Sequence, residues 1–164
     1  SIPANAVHSI DAMVVREMNR RCNYDVDQLI KISDLLLTDK RPRVPDHQLN
    51  KTNFITVRDI EIHLSKPKQI GQLGINYLTR LEKLVSEMLQ NKPFELVCIH
   101  DAMKAHANNM NTVRYWYKEI LAELADSHLM QDIIQQIHKD TSITLTRASE
   151  NLGDLIRESN YGIA

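Results

Sequence analysis

The residues best suited to catalysis or metal binding are His100 and Asp101, which follow the apolar run Phe94 to Ile99. A short, β-branched run directly after Pro93 is typical of a buried strand, and residues 102–107 can form a turn and a return strand. A carboxylate at such a hairpin is held rigidly, and Mg²⁺ takes oxygen ligands. The pattern therefore predicts a magnesium ligand at Asp101; the plainer alternative is that Asp101 caps a turn and His100 packs beside it.

A two-metal site needs more than one carboxylate, because it holds its two ions about 4 Å apart. Four other acids are candidates, and none of them follows a comparable apolar run: Asp11, Asp59, Asp126 and Asp154. If Asp101 binds metal, we expect its partner carboxylate to come from outside the chain.

A second group of candidate functional residues lies at the start of the first predicted helix. Ser9 is a suitable N-cap, and Asp11 in the first turn would complement the helix dipole. Neither role requires His8, which could direct a donor into a groove or, less plausibly, bind a metal together with Asp11. The other histidines show no zinc-type spacing.

Composition limits the possible partners. The chain has 164 residues, with 20 basic and 21 acidic side chains and two cysteines. A small domain that binds nucleic acid by counterion release usually has a basic excess, so any such contact here is local or depends on another polypeptide. Two cysteines are too few for a disulfide framework, which favours a reduced compartment. We expect no membrane association, since no run approaches the ~20 apolar residues of a membrane span.

Apolar residues three or four positions apart predict a mostly helical chain. The predicted helices cover residues 8–21, 26–37 (with Asp25 as N-cap), 68–90, 111–125, 129–137 and 149–157. Pro3 and Asn5 are expected in an extended entry, residues 40–53 in a loop, and residues 54–64 in one or two short strands. The predicted fold class is α+β, mostly helical with a small antiparallel β-hairpin.

Three segments, in the same order, resemble the single-subunit RNA polymerases of phages and mitochondria. In that family a segment of the type Pro-Asn-x-Val-His-Ser-x-Asp begins a palm helix, and residues 3–11 are similar to it. A palm strand ends in His-Asp, as residues 97–101 do, and Ala-His-Ala follows at 105–107. The family closes with a short aromatic and small-residue tail, which Tyr161–Ala164 resembles. Ala102 also fits, because the related DNA polymerases typically have Glu there.

The resemblance implies that this is the C-terminal part of a DNA-directed RNA polymerase, a nucleotidyltransferase. Residues 1–22 would form a palm helix segment, and residues 92–164 the palm hairpin, the following helices and the tail. Residues 23–91 match nothing in the family and would be a helical insertion.

The resemblance also implies roles for individual residues. Asp101 would ligate two Mg²⁺ ions with His100 beside it, and the carboxylate of Ala164 would shape the site. His8, along the minor groove near the RNA 3′ end, and Lys104 would contact nucleic acid. The reaction would be attack of the RNA 3′-hydroxyl on the α-phosphate of an NTP, directed by a DNA template.

The family's other metal-binding Asp and its fingers residues precede the His-Ser segment, and the chain begins just before that segment. The resemblance therefore implies activity only with a companion polypeptide, as in the two-chain enzymes of some phages. The expected location is the cytoplasm of a phage-infected cell, or a mitochondrion.

Two other classes remain open. The helical His-Asp phosphohydrolases have a signature similar to Ile99–Lys104, for which His63 and Asp154 could supply the remaining ligands. Their motif lies on a helix and normally has Gly where Met103 stands. A strand over residues 94–99 would therefore favour the polymerase, and a helix the hydrolase. The third class is a non-catalytic helical interaction module in which the His-Asp pair is structural.

Overall fold

The computed structural model describes residues 2–38, 54–99, 102–147 and 149–160. It is 71% helical with a two-stranded antiparallel sheet, which confirms the α+β class. The helices and strands of the described residues are α1 (Ile2–Cys22), α2 (Val26–Thr38), α3 (Val57–Ser65), α4 (Ile75–Leu89), β1 (Val97–Ile99), β2 (Ala102–Lys104), α5 (Met110–Asp126), α6 (Leu129–His138) and α7 (Leu152–Glu158). Short 3-10 helices cover Pro67–Gln72 and Ala107–Asn109.

The described chain divides into two compact units. The first contains α1 and the elements from β1 to α7, and the second contains α2, α3 and α4. The first unit comprises the chain up to Cys22 and from Glu95 onward, together with Phe54. That the second unit is an insertion into a palm remains a prediction.

The core of the first unit forms where α1 packs on α5. The apolar residues of α1 recur every fourth position, which places them on one face of the helix. The buried residues of the two helices include Ile10, Val14, Met18, Val113, Trp116 and Ile120. Trp116 is therefore a core residue, as its helical spacing predicts.

The start of α1 differs from the prediction. The helix begins at Ile2, so Pro3 and Asn5 are helical rather than extended. Proline is compatible with the first turn because the first N–H groups of a helix have no intrahelical acceptor. Ser9 is consequently not an N-cap; its hydroxyl donates to the carbonyl of Asn5 at 2.8 Å, inside the helix.

In the second unit, α2 packs on both α3 and α4. Asp25 caps α2 as predicted, because its Oδ1 accepts hydrogen bonds from the backbone N–H groups of Asp27 (2.9 Å) and Gln28 (3.3 Å). The inward faces of the three helices are apolar and buried, and include Leu29, Ile32, Leu36, Ile60, Leu78, Leu81, Val85 and Met88.

The prediction of strands over residues 54–64 is wrong, because Val57–Ser65 form helix α3. The carboxylate of Asp59 accepts hydrogen bonds from the backbone N–H (2.8 Å) and the hydroxyl (2.7 Å) of Thr56. This pairing resembles a capping box and stabilises the first turn. Val57, Ile60 and His63 are buried at a spacing of three residues, and this helical period outweighs the partial alternation.

The long helix predicted over residues 68–90 is divided in the structure. A 3-10 helix covers Pro67–Gln72, and α4 begins only at Ile75, after Gly74 in an extended conformation. Glycine lowers helix stability, so a break here is physically reasonable. Helices α5 and α6 lie within one residue of their predicted limits, whereas α7 begins at Leu152 rather than at residue 149. The loop predicted for residues 40–53 lies outside the described residues.

Candidate functional site

The predicted hairpin is present as the antiparallel pair β1 and β2. Val97 is opposite Lys104, Cys98 is opposite Met103, and Ile99 is opposite Ala102. The pairing of Ile99 with Ala102 leaves two residues in the chain between the strands. Those two residues, His100 and Asp101, lie outside the described residues, so the orientation of the predicted metal ligand stays a prediction.

The first strand is shorter and more exposed than expected. Residues 94–99 were expected to form a buried strand, but the strand covers only Val97–Ile99. Val97 and Ile99 are 46% and 49% exposed, whereas Leu96, just before the strand, is buried. A two-stranded sheet has two faces, and residues on one face alternate with those on the other. One face of this sheet is therefore open.

The open face of the hairpin is mostly apolar. Residues opposite each other in an antiparallel pair point to the same side, so Val97, Ile99, Ala102 and Lys104 share this face. Lys104 is exposed, as a residue that contacts nucleic acid must be. Cys98 and Met103 lie on the opposite, half-buried face.

Helix α1 contacts β1, and each element carries one free cysteine. Cys22, the last residue of α1, is fully buried. Burial, with a smaller contribution from Cys98, raises the pKa of Cys22 to about 12. Burial also raises the pKa of Cys98. Both side chains are therefore neutral thiols at physiological pH, and the thiolate form that binds metals or attacks electrophiles is scarce.

His8 lies on the exposed side of α1, and so do Val7 and Asp11. Its exposure permits contact with a polynucleotide. Among the described residues, which leave out His100 and Asp101, no group of three or more His, Cys, Asp and Glu side chains could hold a metal ion.

Three of the four other candidate acids have structural partners. Asp59 accepts hydrogen bonds from Thr56, as described above. Asp126 and Asp154 both pair with the guanidinium of Arg157, at 3.0 and 3.4 Å. Asp11, the fourth, is exposed on α1.

His63, the histidine of the second unit that a phosphohydrolase would need as a metal ligand, also has a partner. His63 is buried, and its Nε2 lies 3.0 Å from the hydroxyl of Tyr77. Burial and then the carboxylate of Asp59, to which Tyr77 is hydrogen-bonded, raise the pKa of that hydroxyl. His63 Nε2 is therefore already engaged in a hydrogen bond with Tyr77.

The first unit also contains a cavity of about 330 Å³ with a mainly apolar lining. Its walls include Ile10 from α1, Leu124 from α5, Met130 from α6 and Leu152 from α7. None of the site residues predicted from the sequence that lie in the described part of the chain lines this cavity.

Comparison with known proteins adds no relative. No protein-family model matches the chain, and no curated protein is significantly similar to it. In the described part of the chain, every helix is too short or too polar to cross a membrane.

Proposed function

We propose that the chain is the C-terminal palm portion of a DNA-directed RNA polymerase that works with a companion polypeptide. The observation that carries the proposal is the antiparallel register of β1 and β2, which pairs Ile99 with Ala102. A His-Asp pair between two such strands is the context in which the resembled family carries its metal-binding carboxylate. The order of the three similar segments along the chain adds support.

In this proposal Asp101 holds two Mg²⁺ ions jointly with a carboxylate of the companion. When bound, such ions stabilise the attacking and leaving oxygens of an in-line displacement. The chain's own contribution is to hold the Asp101 carboxylate on a short hairpin and to contact the polynucleotide. Lys104 would donate to a phosphate oxygen, and His8 would donate into the minor groove near the RNA 3′ end. The carboxylate of Ala164 would shape the site.

Three of the four other candidate acids support an external source for the second carboxylate. Asp59, Asp126 and Asp154 are engaged by Thr56 or Arg157. Removing any of them from its partner to bind metal would break a hydrogen bond or an ion pair. The near-neutral charge of the chain also suits a protein whose companion carries most of the basic surface that holds the duplex. The proposed location is the cytoplasm of a phage-infected cell, or a mitochondrion.

The phosphohydrolase alternative is less well supported. Its signature would require a helix over residues that belong to β1 and β2, and its first candidate ligand, His63, is already hydrogen-bonded to Tyr77. A non-catalytic interaction module is compatible with the fold, so activity has to separate it from the polymerase.

The proposal is tested on the natural complex, which is obtained by purifying this chain together with the polypeptides that bind it. We expect a co-purifying polypeptide with the fingers residues, and incorporation of NTPs into RNA that requires both DNA and Mg²⁺. Chelation of Mg²⁺ should abolish incorporation. Release of inorganic phosphate from small phosphate esters by the chain alone would favour the hydrolase. If neither reaction is observed, the non-catalytic interaction module is the remaining class.

A further inference from the structure

The apolar cavity of the first unit has the size of a small ligand site. Its volume is about 330 Å³, which is at the lower end of the range of ~300–1,000 Å³ that is typical of small-molecule pockets. An engineered apolar cavity of ~150 Å³ holds one benzene molecule. A ligand of about ten to twelve non-hydrogen atoms, roughly twice the size of benzene, would therefore fit.

The walls of this cavity are mainly apolar, and it is open to solvent on one side. Ile10 of α1, Leu124 of α5 and Met130 of α6 contribute to the walls. Leu145 and Leu152 also line the cavity, and they are 41% and 44% exposed. Apolar side chains that face water in a concave site favour an apolar ligand, because the ligand removes their surface from water.

One wall of the cavity belongs to residues 141–147, which are neither helix nor strand but are fixed to α6 by polar contacts. Nε2 of Gln135 donates to the carbonyl oxygen of Ile143 at 2.8 Å. The backbone N–H of Leu145 donates to Oε1 of Gln131 at 2.9 Å. These contacts hold the wall in place, so the cavity is a preformed part of the fold.

Arg147 adds a positive charge to the cavity wall. Its Nη2 donates to the carbonyl oxygens of Asp126 at 2.8 Å and Ser127 at 3.3 Å, where α5 ends. These carbonyl groups hold the guanidinium but do not cancel its charge. Among the residues that the structure describes, none places a carboxylate within ion-pair distance of Arg147, and its Nε and Nη1 make no hydrogen bond. The planar guanidinium fork matches the geometry of a carboxylate.

We propose that this cavity binds a small apolar monocarboxylate, with its carboxylate on Arg147 and its hydrocarbon part against the apolar walls. No Asp or Glu of the described chain lines the cavity, so a bound anion meets no like charge in its walls. A medium-chain fatty acid has the required size and charge. The site lies within the first unit, and the proposal does not depend on the proposed nucleotidyl transfer.

The test is a titration of the isotope-labelled full chain with octanoate and, in parallel, with 1-octanol, followed by amide NMR spectra. We expect saturable shifts of the amides of Gln131, Leu145 and Leu152 with octanoate. The amide of Leu81, in the second unit, should not shift. Wild type should bind octanoate about tenfold more tightly than 1-octanol, because the alcohol lacks the charge that Arg147 recognises.

Two arginine variants test the role of the charge. Arg147→Met should weaken octanoate binding by about tenfold or more and leave 1-octanol binding unchanged, because a hydrogen bond to a charged group is lost. Arg114 is the matched control, since it is an exposed arginine on α5 that does not line the cavity. Arg114→Met should bind octanoate as wild type does.

Failure of octanoate to bind saturably would overturn the proposal, and so would amide shifts confined to residues outside the cavity. Equal octanoate affinities of wild type and Arg147→Met would overturn it too, because the binding would then be an unspecific apolar contact. If Arg147→Met does not fold, wild type alone decides, since equal affinities for octanoate and 1-octanol overturn the proposal without any variant. None of these results bears on RNA synthesis by the complex, which is tested separately.

Discussion

The guanidinium of Arg21 donates two hydrogen bonds to the carboxylate of Glu123, across the contact between α1 and α5. The Nη2–Oε2 distance is 2.6 Å and the Nη1–Oε1 distance is 3.2 Å. Its Nε donates to Glu17, one turn earlier on α1, at 3.1 Å, and the guanidinium lies 5.1 Å from the ring centre of Trp116. Burial alone would lower the pKa of Arg21, but the charges of Glu123 and Glu17 raise it. An ion network in which Arg21 and Glu17 are buried and Glu123 is partly exposed therefore fixes how the two core helices of the first unit meet.

Replacing Arg21 with Met should destabilise the protein strongly. The change leaves Glu17 buried without its counter-charge and Glu123 without its bidentate partner, a loss of roughly 3–5 kcal/mol. Urea unfolding measures the free energy directly. Arg16, exposed on the same helix, is the control, and Arg16→Met should change the free energy by about 0.5 kcal/mol or less. Equal stabilities of the two variants would show that the network does not stabilise the helix contact.

Burial of the Cys22 thiol predicts a loss of stability at alkaline pH. The pKa of Cys22 is raised from 9.0 to about 12 by folding, so the unfolded chain loses this proton first. The stabilisation is complete below pH 9 and is lost as the pH rises towards 12, by at most about 1.4 kcal/mol per pH unit. The free energy of unfolding between pH 8 and pH 11 should therefore fall less steeply in Cys22→Ala than in wild type. Parallel curves would contradict the assignment.

Gly153 is required for the close approach of α7 to α5. A Cβ atom at this position would clash with the carboxylate of Asp126, a side chain that Arg157 holds in place. Gly153→Ala should therefore cost about 1–3 kcal/mol, the usual penalty for overpacking. Glu158→Ala, at an exposed position of the same helix, is the control.

A double-mutant cycle tests the cause of that penalty. In an Asp126→Ala background the clashing carboxylate is absent, so adding Gly153→Ala should cost clearly less than it does in wild type. An unchanged penalty would mean that the clash with Asp126 is not responsible.

The sequence predicts best those elements whose signals are local and agree with one another. The hairpin was predictable because Val97 and Ile99 are β-branched and follow Pro93, and the periodic apolar residues predicted α5 and α6 closely. Helix α3 was missed because alternation around Ile60 competes with the capping signal at Thr56.

Contacts between distant residues could not be predicted in this way. Arg21 and Glu123 are 102 residues apart, and Lys118 and Ser159 are 41 apart. No spacing rule links such residues, because their meeting depends on how the helices pack. For the candidate site, the sequence supplies Asp101 and the strands that flank it. In the proposed account the second carboxylate comes from a companion polypeptide, so no residue of this chain predicts it.

The most direct test of the central claim is DNA-templated RNA synthesis by the complex that contains Asp101→Asn. Asparagine keeps the shape of the side chain but removes the charge that would bind Mg²⁺ in the proposed account. The proposed account predicts a loss of activity of roughly 10²-fold or more, while circular dichroism and assembly with the companion stay unchanged. Asp34→Asn, at an exposed position on α2, should retain full activity. RNA synthesis at the wild-type rate by the Asp101→Asn complex would contradict the account.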